Sequence, residues 1–239
     1  MKTWRISLVF CMMSGISGYA SAASLDTIEN LDQAQFAEFS KSISAATHYR
    51  SVAPSEPLGT LGFDIGLGVS STDISGNLFD LASNGSFDGS DLVVAKLQVQ
   101  KGLPFGLDIG ASLSSIPDSD ATIFGGELRY AIVDGGVLTP SLGIRASYSQ
   151  LQGLDDLDLQ SSALELGISK GILFFTPYAG VGVVRTTADP QNIDGLRTEK
   201  FDENKVFIGI TANFGFAVTL EADRTGDIRT YSAKAGIRF

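Results

Sequence analysis

Apolar residues recur at every second position in ten stretches of this chain, and that period leaves few folds open. In 61–69, Leu61, Phe63, Ile65, Leu67 and Val69 alternate with Gly62, Asp64, Gly66 and Gly68. In 93–100, Val93, Ala95, Leu97 and Val99 alternate with Val94, Lys96, Gln98 and Gln100, and Phe105, Leu107, Ile109, Ala111 and Leu113 are set against Gly106, Asp108, Gly110, Ser112 and Ser114. Runs at 124–132, 138–148, 160–169, 175–186, 204–213, 215–223 and 229–239 continue the pattern. Successive side chains of a strand point to opposite faces, so each run is a strand with one oily and one polar side. An even count suits a closed antiparallel barrel whose ends return to one side.

The polar side separates two kinds of barrel. In a soluble sandwich or lipocalin-like barrel the apolar face packs inward and the other face carries a charged coat. Here the opposing face is rich in glycine and serine, which makes a poor coat for water but suits a lumen. No segment outside the extreme N-terminus has the roughly 20 consecutive apolar residues of a membrane helix. The expected fold is an all-β, antiparallel up-and-down transmembrane barrel of about ten strands over residues 59–239.

The last run, Tyr231-Ser-Ala-Lys-Ala-Gly-Ile-Arg-Phe239, puts Tyr231, Ala233, Ala235, Ile237 and Phe239 on one face and Ser232, Lys234, Gly236 and Arg238 on the other. Here the chain resembles Gram-negative outer-membrane β-barrels, whose closing strand typically ends in Phe. The resemblance implies that Tyr231, Ile237 and Phe239 form an assembly signal read by the barrel assembly machinery. It also implies residence in the cell outer membrane, in contact with lipid and lipopolysaccharide.

The connections alternate in length. Lys101–Pro104, Val133–Gly136, Ser169–Gly171 and Asn213–Gly215 read as tight turns, with Asp134-Gly135 the strongest hairpin signal. Ile74–Asp91, Ser115–Asp120, Gln150–Asp158, Thr187–Glu203 and Arg224–Ile228 read as longer, mostly acidic links. Tight turns then face the periplasm and longer links face out.

Residues 1–23 read as a cleaved secretory signal: Lys2 and Arg5 precede an apolar stretch that ends in Ala20-Ser21-Ala22-Ala23. Cys11 leaves with it, so the mature chain has neither disulfide nor thiol nucleophile. Loss of Lys2 and Arg5 takes the formal charge from −10 to −12. With no basic patch, nucleic-acid binding is disfavoured.

Residues 24–58 follow a different period. Ile28, Leu31, Phe36, Phe39, Ile43 and Ala46 recur near every 3.6 residues, and Asp32 with Gln35 is placed as a capping box. The spacing predicts an amphipathic helix from 27 or 32 to 48, ended by Pro54 and Pro57. It is expected at the periplasmic mouth of the barrel, or partly inserted as a plug through Phe36, Phe39 and Ile43. The glycines at 62, 66, 68, 110, 143, 180, 182 and 236 would leave room for a second backbone inside.

The inner face carries Asp64, Asp108, Glu127, Glu165, Glu221 and Asp223 against Lys96, Arg129, Arg145, Lys234 and Arg238. Isolated buried charges are expensive, so near-equal numbers of opposite sign predict a lumen network of ion pairs. Such a network either fills a small lumen or sets the selectivity of a narrow pore.

Catalysis finds little support. Outer-membrane hydrolases and acyltransferases use a histidine on a strand or at the rim as base, and the one histidine, His48, lies in the pre-barrel helix. Single His without Cys gives no transition-metal set. Asp73, Asp80, Asp88 and Asp91 with Asn77 and Asn84 match no calcium-loop spacing and read as a solvated acidic loop. No cofactor is expected. The chain reads as a non-enzymatic barrel acting as a narrow porin-like passive channel for small solutes; the alternative is a structural or surface-interaction protein with an occluded lumen.

Overall fold

Every strand with one oily face needs neighbours that repeat the arrangement, and in a computed structural model ten strands supply them to one another. Described are residues 28–83, 89–117, 119–136, 138–191, 193 and 195–239; the expected signal at 1–23 lies outside them. The strands are β1 (Phe63–Asp73), β2 (Asp91–Gly102), β3 (Leu107–Ser115), β4 (Thr122–Val133), β5 (Ser141–Gln152), β6 (Leu157–Ser169), β7 (Phe175–Pro190), β8 (Glu199–Asn213), β9 (Ala217–Thr225) and β10 (Ile228–Arg238). Each pairs antiparallel with its chain neighbours, and β1 pairs with β10 to close the barrel. Closure removes both sheet edges. At the seam Phe63 N–H donates to Phe239 O at 2.7 Å, and the two rings meet edge to face with centroids 4.0 Å apart.

The oily face is outside. Leu67 is 63 % exposed and Leu220 56 %, while Asp64 and Glu221 on the other face are buried. The expected class, strand number and facing are therefore those of the molecule.

Several connections differ from the expected ones. Pro140 lacks the N–H a ladder needs, so β5 starts at Ser141, and its link from Val133 at the end of β4 is longer than the tight turn expected at Val133–Gly136. The link expected at Arg224–Ile228 shrinks to Gly226-Asp227, because Gly226 adopts φ +60° and the pairing of β9 with β10 runs to Thr225 and Ile228. β7 and β8 pair far beyond their predicted ends, from Phe175 with Ala212 to Ala188 with Glu199. The first link, expected as a solvated acidic loop, contains a helix, α2 (Gly76–Ala82), which buries Leu78, Phe79 and Ala82.

Candidate functional site in the filled lumen

The helix at the start of the described chain, α1 (Gln33–Thr47), begins at a reciprocal cap. Asp32 accepts from the Gln35 backbone N–H, and the Gln35 side chain accepts from the Asp32 N–H, each at 2.9 Å. Phe36, Phe39 and Ile43 form its fully buried stripe. They pack against Leu92, Val94, Ile123, Leu151, Leu157 and Leu159, which project inward from the barrel wall, and the Phe39 ring lies 4.8 Å from that of Phe79 on α2. Each such side chain contributes about 1.5–3 kcal/mol through burial.

This places α1 within the lumen at the end where the longer links lie, opposite to the periplasmic mouth expected from sequence. Gln33 bonds Arg197 and Glu199 beside the β7–β8 link, and Ser75 Oγ donates to Glu38. The physical reason is the wall: its apolar inner ring is at that end, and the stripe packs on it. The glycines do not mark the helix site. Gly110 faces Glu127 and Gln100, and Gly180 faces the Phe207 ring, so wall side chains fill the space above both.

From His48 the chain runs down the lumen to β1, fastened along its length. Arg50 Nε donates to Asp223 Oδ2 at 2.8 Å, Nη1 to Ala46 O at 2.9 Å and Nη2 to Thr230 Oγ1 at 2.9 Å, with a further bond to Ala45 O. One guanidinium thus closes the carbonyl end of α1 and neutralises a wall carboxylate. Lys96 Nζ donates to Arg50 O at 2.7 Å. Gln98 donates to Ser51 O, and Gln100 donates to Ser51 Oγ at 2.7 Å. Lower down, Arg129 donates to Pro54 O at 2.7 Å, and the Leu58 N–H donates to Asp108 at 3.1 Å. A Cβ on Gly143 would approach Ser55 O to 3.1 Å, and one on Gly125 would collide with the Tyr49 ring. These two positions make room for the extended segment.

The inward charges pair in small groups. Asp64 Oδ2 lies 3.0 Å from both Lys234 Nζ and Arg238 Nη1 on β10. Asp108 takes Arg129 at 2.6 Å. Arg145 pairs with Glu165 and lies 3.7 Å from Glu127, and Lys205 Nζ is 2.8 Å from the other Glu165 oxygen. Glu221 accepts from Tyr178 OH at 2.7 Å. Lys96 makes no ion pair among the described residues and is held by a carbonyl instead.

Sequence reasoning missed Arg50, Lys205, Tyr178 and the apolar ring. Lys205 was legible, since it alternates with Val206 and Phe207 lies on its own face. So was the ring: Leu157 and Leu159 interrupt the polar face just before the predicted start of β6. Arg50 gave no linear signal.

His48 is 2 % exposed, with Nδ1 3.1 Å from Ser44 O. Beneath α1 a cavity of about 10 Å³, lined by His48, Tyr49 and Lys96 among others, offers room for roughly one water. Among the described residues no group of three or more His, Cys, Asp or Glu is placed to hold a metal. Tyr231, Ile237 and Phe239 all stand on the outer face of the barrel, each more than half exposed.

No family model and no curated protein matches the chain. Among solved structures, the N-terminal β-barrel domain of Pseudomonas aeruginosa OprF is 12 % identical over 73 % of this chain and 97 % of its own, with a TM-score of 0.38. KdgM porin is 9 % identical over 74 % and 99 %, with a TM-score of 0.38. Ail, the attachment invasion locus protein of Yersinia pestis, solved with the heparin analogue sucrose octasulfate, is 12 % identical over 74 % and 98 %, with a TM-score of 0.33. At such scores the likeness carries no argument, and the barrel stands on the strand pairing of this chain.

Proposed function

We propose that this chain is an outer-membrane barrel whose lumen is occluded by its own residues 28–58, serving as a non-enzymatic structural or surface-interaction protein of the envelope. The membrane part is supported by the continuous apolar outer belt on strands of 9 residues (β9) and 11 residues (β10), against the about 9–11 residues a tilted strand needs to cross a bilayer. With short turns toward the periplasm, α1 and the longer links face outward, and lipopolysaccharide surrounds the outer rim. Insertion by the barrel assembly machinery through the outer face of β10 belongs to the same reading.

One observation carries the occlusion. The segment from α1 to Leu58 is fastened at both ends of the lumen and between them, from Gln33 with Arg197 to Leu58 with Asp108. An open solute path would have to displace a helix whose apolar stripe is packed on the inner wall, together with the segment bonded along the lumen below it. The non-enzymatic part is supported by the burial of His48 against a helix carbonyl, away from any opening.

The test is conductance in planar bilayers. Full-length protein is expected to insert and to give background current, whereas protein lacking residues 28–58 gives discrete steps. Steady steps from the full-length protein would overturn occlusion in favour of a narrow passive channel.

A further inference from the structure

The outer surface over β8, β9 and β10 is not smooth. Ile208 and Ile210 on β8, Leu220 on β9 and Tyr231 on β10 stand out around Ala222, whose methyl group leaves a hollow. A groove of about 790 Å³ reaches from Ile168 at the end of β6 and Pro177 at the start of β7 across these residues, and is joined through Ile208, Ala222 and Tyr231 to a second of about 320 Å³, whose lining includes Arg224 and Arg229. Both arginines are exposed and point outward.

Arg224 and Arg229 are register partners on adjacent strands. Like charges directly opposite one another weaken a sheet. Arg224 has an answer in Asp227 and in Gly226 O at 3.0 Å, whereas no carboxylate among the described residues pairs with Arg229. Elsewhere on the outer face, between β7 and β8, a register pair carries opposite charges: Arg185 faces Asp202 with two bonds of 2.7 and 2.8 Å. Along β10 the outward side chains upward from Phe239 are Ile237, Ala235, Ala233 and Tyr231, and then Arg229. The arginine pair therefore sits where the apolar belt ends, on the side of the longer links.

We propose that Arg224, Arg229 and the groove beneath them bind a phosphorylated glycolipid of the outer leaflet, of the lipid A type. A phosphate between the two guanidiniums turns their repulsion into a bridge of charge-assisted hydrogen bonds, which suits the planar fork of arginine. One acyl chain lies along Ile208, Leu220 and Tyr231. Charge complementarity and continuity with the lipid-facing belt select this occupant, and the inference rests on the outer-membrane reading above.

The experiment uses full-length protein refolded in detergent, with native mass spectrometry as readout and purified bis-phosphorylated lipid A as probe. Dephosphorylated lipid A, phosphatidylglycerol and inorganic phosphate are separate arms. One lipid A per barrel is expected, with affinity lowered about tenfold or more in R224S/R229S, the loss of one charge-assisted contact or more. A222W, which fills the groove and leaves both charges, should weaken binding as well, while R185S should not. Heat modifiability checks that each variant is folded. Folded R224S/R229S that binds lipid A like the parent would overturn the site, as would equal affinity for phosphatidylglycerol or inorganic phosphate. Failure of the parent to insert into liposomes would instead overturn the outer-membrane reading itself.

Discussion

The Arg50 guanidinium, at the foot of a lumen helix, lies 2.8 Å from the Asp223 carboxylate on β9, and both side chains are buried. Residues 173 positions apart thereby tie the plug to the wall. Removing one partner of a buried pair leaves a charge without compensation and typically costs about 3–5 kcal/mol. Arg50→Ala should lower the unfolding free energy from urea titration in detergent by that order, and Arg50→Met with Asp223→Leu should recover much of it. A double change no better than the single one would show that Arg50 acts through its bonds to the Ala45 and Ala46 carbonyls instead.

Phe39 is the centre of the plug core, in contact with α2 through Phe79. Phe39→Ala should cost about 3–5 kcal/mol where the cavity cannot collapse. Because the loss falls on α1 and not on the strand ladder, it should appear as faster proteolysis within 33–47 while the barrel stays heat-modifiable. Protection equal to that of the parent would place the helix outside the lumen.

Gly125 lies under the Tyr49 ring. Gly125→Val overpacks the site and should destabilise by about 1–3 kcal/mol. Tyr49→Ala in the same chain should return part of it, which paired unfolding titrations measure directly. Additive losses would mean that the ring and the glycine do not meet.

Leu220 faces outward and Glu221 inward. Leu220→Arg should cost about 2–4 kcal/mol in a bilayer if it lies near the midplane. Leu220→Ala should cost far less than a core truncation, since lipid closes over the gap. Unfolding in phospholipid vesicles separates the two, and a large penalty for alanine would argue for a protein partner in place of lipid.

The sequence by itself determined the barrel. A period of two, repeated with the same phase relative to glycine and serine, assigns inside and outside residue by residue, because a strand allows its side chains only two directions. It also determined α1 and its cap, since Asp32, Gln35 and the Phe36, Phe39 and Ile43 stripe are local. Which charge meets which was decided by the tertiary structure alone. Asp64 finds Lys234 and Arg238 only because β1 closes on β10, and Glu165 is shared between Arg145 on adjacent β5 and Lys205 on β8 because the intervening β7 position is Gly182, which has no side chain to separate them. The position of the helix was decided the same way. Its stripe names an apolar partner but not the place of that partner, and Leu92, Ile123, Leu151 and Leu157 become one ring only when strands far apart in the chain curve around a common axis. Arg50 has a role for the same reason: a guanidinium after a helix is ordinary until closure puts Asp223 and Thr230 beside it in a space without water.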